Sequence, residues 1–268
     1  MITLKKVLVL LGLKLFREEP GRLFGSSKRK LKRLKNKFEG ETCVIIGNGP
    51  SLNEVDFATL AKCKSFGVNG IFYKSDEIGG WRPDFYVVED TAVMKENIAR
   101  IREYDCEYKF FPSMYKTLHK GAKNVFWFNM NRGFYDEQSE WFEFSRFSPD
   151  CSRQVYCGQS VTIVNLQLAF YMGFTKVLLV GMDFNYEKVG DEIVKGHKLL
   201  SQSDDINHFH PDYFGKGKTW HDPKIHNVHK SYELAKLVYE QNGREIVNCT
   251  IGGKLELFRR STLELEIK

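Results

Sequence analysis

No stretch of the chain is long and apolar enough to cross a bilayer: the most hydrophobic run, residues 7–16, is interrupted by Lys14 and falls short of the ~20 residues that a spanning helix needs. A small-residue cleavage site is missing too, so a secretory signal is not expected. The six cysteines, at 43, 63, 106, 151, 157 and 249, form no C-x-x-C pair and no metal-ligand rhythm. That argues against a disulfide framework or structural zinc and for reduced thiols in a cytoplasmic protein. Familiar phosphate loops are absent from the first glycine-rich turn, which has neither the third glycine of G-x-G-x-x-G nor the Gly-Lys-Ser/Thr ending of Walker A. No G-x-S-x-G marks a serine hydrolase, and no internal repeat is visible.

Positive charge, by contrast, is concentrated in one place. The net charge is +6, and residues 1–40 join the short apolar run to a cluster of Lys28, Arg29, Lys30, Lys32, Arg33, Lys35 and Lys37. Leucines and phenylalanines beside such a stretch suit a helix lying on an anionic cytoplasmic leaflet, where each Lys or Arg contributes about 1 kcal/mol. Residues 1–40 therefore read as a basic amphipathic arm, and the protein as peripheral to the inner face of the cell membrane. Nucleic acid is not an expected partner, because the charge is confined to this arm and no RNA or DNA motif follows it. A homo-oligomer is compatible with the sequence.

After residue 40, short β-rich runs alternate with helical stretches. This pattern predicts an α/β, Rossmann-like fold with a mostly parallel sheet and helices on both faces, forming one catalytic domain over residues 41–268. Strands are expected at 43–46, 65–68, 85–88, 108–111, 124–128, 177–180 and 245–248, and helices at 54–61, 92–103 and 160–172, the last buried all round and stopped at Gly173. Val228, Tyr232, Ala235 and Tyr239 recur at helical spacing before Asn242-Gly243. Residues 129–147 and 190–223 are long connections, and such connections in compact domains are usually lids or binding loops. The lid-like segment is placed at about 187–226.

Ligands of open α/β sheets bind beyond the carboxyl ends of the strands. Four strand ends deliver small and polar groups there: Gly47-Asn48-Gly49-Pro50-Ser51, Asn69-Gly70, Glu89-Asp90, and Gly181-Met182-Asp183-Phe184-Asn185-Tyr186. The first looks like a strand running through a loop into a helix, an arrangement that aims free N–H groups at a phosphate, so the partner of this rim is expected to be a nucleotide. Asp183 would hold ribose hydroxyls, orient the loops, or meet a metal through the substrate phosphates. Ser160 and Thr162, which open the buried helix, are further contacts to sugar or phosphate, or simply a cap. Residues 204–230 hold five of the seven histidines, among them His208, His210, His221 and His226. Neutral His is a natural base for a sugar hydroxyl. An H-x-H pair can also ligate zinc, but no third ligand is evident. Lys216, Lys218 and Lys224 suit a phosphate leaving group, and Tyr213 or Tyr186 could hydrogen-bond the same phosphate.

Taken in order, "IGNGPSL", "VN" at 68–69, "GMDF" at 181–184 and a late His resemble the bacterial sialyltransferases of glycosyltransferase family 42. "PDFYVVED", "AFYMGFTKVLLVGMDFNY" and "NHFHPDYFGKGKTWHDP" more closely resemble the MptE-like domain family, named for an archaeal 6-hydroxymethylpterin diphosphokinase and related to Maf-type flagellin nonulosonic-acid transferases. The first resemblance implies that Gly47, Asn48, Gly49, Ser51 and Asn69 hold the cytidine monophosphate of a CMP-sugar. It also implies that tyrosines after Asp183 hold its phosphate, although the tyrosine expected two places on is Asn185 here, with Tyr186 one step late. His208 suits the order of the late base, with His210, His221 and His226 as rivals. The leading expectation is a glycosyltransferase that needs no metal and passes a nonulosonic acid to a cell-surface glycan precursor. The alternatives are an MptE-like pyrophosphokinase using ATP and Mg²⁺ on a hydroxymethylpterin, and a non-catalytic nucleotide-binding module.

Overall fold

The computed structural model describes residues 26–119, 124–186, 192–195, 198–221 and 223–267. In chain order the strands are β1 (Thr42–Ile46), β2 (Lys64–Val68), β3 (Phe85–Val87), β4 (Tyr108–Pro112), β5 (Val125–Phe128), β6 (Met130–Asn131), β7 (Val155–Tyr156), β8 (Lys176–Val180), β9 (Glu192–Lys195), β10 (Lys198–Leu200), β11 (Thr219–His221), β12 (Glu245–Asn248) and β13 (Arg259–Arg260). The helices are α1 (Ser26–Lys32), α2 (Phe57–Leu60), α3 (Phe72–Glu77), α4 (Thr91–Glu96), α5 (Ile98–Glu103), α6 (Val161–Met172), α7 (Ile225–Gln241) and α8 (Leu263–Glu266).

Eight strands form one sheet in the order β13-β12-β8-β1-β2-β3-β4-β5, and every neighbouring pair is parallel. All seven strands expected from sequence lie in it. They were legible because both faces of the sheet are covered. Cys43 and Ile45 of β1 enter one core, with α6 and α7, while Val44 and Ile46 enter the other, with α2 to α5 and α8. Successive side chains point to opposite faces, so a strand buried on both sides reads as an unbroken apolar run. α6 is buried along nearly its whole length; Ser160 caps it through the Thr162 amide, and Gly173 ends it at φ 100°. The chain runs outward from β1 through β5 and then returns to β8 on the other side of β1. The topological switch point therefore lies between β1 and β8, where ligands of such sheets bind.

Three details differ from the sequence reading. The helix expected at 54–61 is a 3₁₀ turn (Pro50–Glu54) followed by α2, because Asp56 starts a new cap on the Ala58 and Thr59 amides. The helix expected at 92–103 breaks at Asn97 into α4 and α5. Within the 190–223 connection, β9, β10 and β11 form a small antiparallel sheet.

The second half of the basic arm does not stand apart from the domain. Leu31, Leu34 and Phe38 are buried in the core, with Phe38 stacked on Phe174 at 5.0 Å and edge-on to Phe85 at 5.4 Å. The Asn36 and Phe38 amides donate to the Tyr171 and Met172 carbonyls at 3.1 and 2.9 Å. These apolar residues are thus spent on the protein's own sheet, while Arg29, Lys30, Lys32, Arg33 and Lys35 remain exposed. The apolar run at 7–16 lies outside the described residues. Among the described residues no helix is long and apolar enough to cross a membrane. Phe38→Ala should therefore cost about 3–5 kcal/mol, the range for truncating a buried aromatic, read as a lower midpoint in denaturant unfolding; an unchanged midpoint would mean that the segment is detached. All six cysteines are free thiols, and only Cys63 is not fully buried.

Candidate functional site

The floor of the site is made where the ends of β1 and β8 meet. The Gly47 amide donates to the Val180 carbonyl at 2.8 Å and the Gly49 amide to the Gly181 carbonyl at 3.0 Å. The Ser51 amide and hydroxyl both donate to the Asp183 carboxylate, at 3.1 and 2.7 Å. A Cβ at Gly49 would lie 1.9 Å from Asp183 Oδ2, and one at Gly47 would lie 2.3 Å from the Gly181 oxygen. Gly49 has φ −69°, open to any residue, so it is glycine because of close approach and not because of backbone sign. This corrects the expected phosphate cradle. The amides of Gly47, Gly49 and Ser51 are used to join the two loops, and Asp183 orients the first loop. Pro50, at the start of its 3₁₀ turn, and Ser51 do not line the pocket.

The pocket above this floor brings together Gly47, Asn48, Gly49, Asn69, Asp90, Ser160, Thr162, Gly181, Asp183, Phe184, Tyr186, His208 and Tyr213. Asn48 is 9% exposed; its Nδ2 donates to the Val68 carbonyl at 3.1 Å and to the Tyr213 hydroxyl at 2.8 Å. Its Oδ1 is buried without a hydrogen-bond partner. A buried acceptor in that state is costly unless a ligand N–H or O–H meets it. Asn69 takes a left-handed φ of 46°, and its side-chain oxygen accepts from the Glu89 amide at 3.3 Å, tying the ends of β2 and β3 together. Asp90 caps α4 by accepting from the Ala92 and Val93 amides at 2.7 and 2.9 Å. Ser160 and Thr162 do double duty, since they open α6 and also line the pocket. The amino end of a twelve-residue helix thereby faces the site, and its dipole favours an anion there. Phe184 adopts φ 55°, and Tyr186, 38% exposed, stands at the mouth.

Opposite the floor lies the one histidine that the described structure places in this pocket. His208 Nδ1 is 2.7 Å from Asp205 Oδ2; an ionised carboxylate only accepts, so Nδ1 carries a proton, and in the neutral ring the free lone pair is on Nε2. Asp205 also accepts from the Asn207 and Phe214 amides, both at 2.9 Å. Burial alone would raise the Asp205 carboxyl, but its bonds to His208 and these amides outweigh that and hold it below its ordinary 3.8. A lowered carboxyl stabilises the fold above its unfolded value and loses that contribution as pH falls through the folded one. Asp205→Asn should therefore destabilise the protein most above about pH 4, and the difference from the parent should shrink in more acidic denaturation series; a pH-independent difference would contradict this role. The His208 ring stacks flat on Tyr213, with centroids 4.3 Å apart and planes within 4°. The Tyr213 hydroxyl accepts from Asn48 and from the Gly70 amide at 3.3 Å. Burial pushes its phenol up, against the opposing effect of those two bonds, so it stays neutral at pH 7. The Phe209 amide donates to the Asn48 carbonyl at 2.9 Å, which fixes the His208 loop to the first loop.

Two of the rival histidines, His210 and His226, are elsewhere. His210 stacks on Tyr73 at 4.5 Å and accepts from the Asp212 amide through Nδ1. His226 is exposed on the first turn of α7. His221 ends β11, and its side chain lies outside the described residues. Lys216 and Lys218 do not line the pocket, and Lys224 pairs with Glu143. Asp205, Asn207, Gln159 and Tyr232, which the sequence reading passed over, belong to the site or directly support it. For Asp205 the available signal was its i,i+3 spacing to His208.

The fold and the pocket define an open, Rossmann-like α/β protein with its site at the switch point of the sheet. The chain matches the family model described as 6-hydroxymethylpterin diphosphokinase MptE-like over residues 23–189, more than half its length, and it belongs to the MptE-like family. No curated protein matches it. Among solved structures it is similar to the sialyltransferase CstII from Campylobacter jejuni in complex with a substrate analogue, cytidine-5'-monophosphate, with 15% identity, coverage of 82% of this chain and 84% of that one, and a TM-score of 0.43.

Proposed function

We propose that the protein is a glycosyltransferase that draws on a nucleotide-activated sugar, with His208 as the base. The observation that carries this is the His208–Asp205 pair: a buried carboxylate holds Nδ1, so the basic Nε2 belongs to a side chain lining the pocket at the switch point. In the reaction, Nε2 takes the proton of the acceptor hydroxyl, and the acceptor oxygen bonds to the anomeric carbon as the bond from that carbon to the phosphate oxygen breaks. The electron pair leaves with the nucleoside monophosphate, and the anomeric configuration inverts. The amino end of α6 favours the departing phosphate. The unpartnered Asn48 Oδ1 suits an amino or hydroxyl group of the nucleoside. The donor we propose is a CMP-linked nonulosonic acid, which is what the resemblance of the motifs "IGNGPSL", "VN", "GMDF" and His to the sialyltransferases of glycosyltransferase family 42 implies.

A second reading, pyrophosphate transfer from ATP to a hydroxymethylpterin, is favoured by the activity for which the family is named. Among the described residues no three His, Cys, Asp or Glu gather as a metal site. A Mg²⁺ ion borne mainly by phosphates needs only one or two carboxylates, a role that Glu89 and Asp90 at the pocket wall would fill. Thermal shifts with CMP, CDP, UDP, GDP and ATP, each with and without Mg²⁺, separate the two. The transferase reading expects stabilisation by CMP or CDP without metal, about 2.7 kcal/mol at a hundredfold excess over Kd. Stabilisation by ATP with Mg²⁺ alone would overturn it in favour of the kinase.

A further inference from the structure

A second cleft adjoins the pocket and shares Glu89, Asp90 and Gln159 with it. The volumes differ widely, at about 180 Å³ for the switch-point pocket and about 1040 Å³ for its neighbour. Small-molecule sites usually span roughly 300–1,000 Å³. Most of the room is therefore not over the glycine loops but beyond Glu89, on the side of β6 and the 129–147 connection.

The lining of this cleft is distinctive. Met114 and Phe142, two large apolar side chains left exposed, at 45% and 39%, both line it. Tyr135 forms part of the wall, with the Arg132 guanidinium 5.9 Å from its ring centroid. Among the described residues, five carboxylates and three cationic side chains line the cleft, so the charge they bring is mixed and net negative, which disfavours a phosphorylated ligand. Aromatic faces interleaved with carboxylates and a guanidinium suit an uncharged, polyhydroxylated molecule, whose ring C–H faces lie on the aromatics and whose hydroxyls bond the charged groups. The cleft is also larger than one planar heterocycle needs.

We infer that this cleft binds the second substrate, and that this substrate is a neutral oligosaccharide whose reacting end crosses the Glu89–Gln159 boundary toward His208. The inference rests on the transferase reading given above. Its test uses the full chain saturated with CMP on an array of neutral and phosphorylated oligosaccharides, with Phe142→Ala, Arg132→Ala and Phe142→Trp compared against the parent. Neither position touches the switch-point pocket, so the CMP thermal shift should be the same in all four proteins. Neutral oligosaccharides should bind the parent and Phe142→Trp, while the two alanine variants lose at least tenfold in affinity. The inference is overturned if the parent, with CMP bound, captures no neutral oligosaccharide or prefers phosphorylated ones, or if both alanine variants bind as the parent does. Absence of any CMP shift would instead count against the donor reading, which keeps the two failures distinct.

Discussion

Replacing His208 by Gln is expected to lower sugar transfer by about 10²–10⁴-fold, the range contributed by a positioned general base, while nucleotide binding persists. The reason is local. Glutamine keeps a polar group opposite Asp205 and much of the side-chain volume over Tyr213, but it has no lone-pair nitrogen that can take up a proton at neutral pH. The comparison is made by steady-state transfer assays beside a CMP titration of the same variant. Full activity would remove His208 from the mechanism, and parallel loss of binding and turnover would reduce it to a structural residue that holds the 205–214 loop.

The second large effect concerns the floor. Gly49→Ala should destabilise the protein by about 1–3 kcal/mol, the usual cost of overpacking, and should also abolish nucleotide binding, because the added methyl would lie 1.9 Å from Asp183 Oδ2. One of the two loops must then move, and the Ser51 bonds to Asp183 at 3.1 and 2.7 Å are lost with it. The double variant Gly49→Ala/Asp183→Ala removes the colliding carboxylate. Its cost, measured by denaturant unfolding, should be less than the sum of the two single variants. Strict additivity would mean that the two residues do not meet.

The sheet was legible because a strand covered on both faces cannot hide its apolar run, and α6 was legible for the same reason. In the glycine loop the amides of Gly47, Gly49 and Ser51 bond the neighbouring strand end and Asp183. Gly-Asn-Gly-Pro-Ser is compatible with amides aimed at a ligand and equally with amides aimed at a neighbouring loop, and only the approach of Gly181 and Asp183 decides between them. Leu31, Leu34 and Phe38 pose a similar ambiguity, since the 3–4 spacing of an amphipathic helix is the same whether it meets lipid or its own sheet. Among the histidines, "DINHFH" offers two rings two residues apart. The His208 ring finds Asp205 and Tyr213, while His210 lands on Tyr73, a residue more than a hundred positions away in the chain. The strands β9 to β11 escaped notice because runs as short as Lys198–Leu200 and Thr219–His221 carry too few residues for alternation to register.

The most direct measurement is the release of CMP from a CMP-linked nonulosonic acid by the full-length protein in the presence of a metal chelator, followed with and without a neutral oligosaccharide acceptor. A switch-point pocket served by the His208–Asp205 pair predicts CMP release that survives chelation, rises when acceptor is added and disappears in His208→Gln. No release under any of these conditions, together with ATP consumption that requires Mg²⁺ and a hydroxymethylpterin, would contradict it.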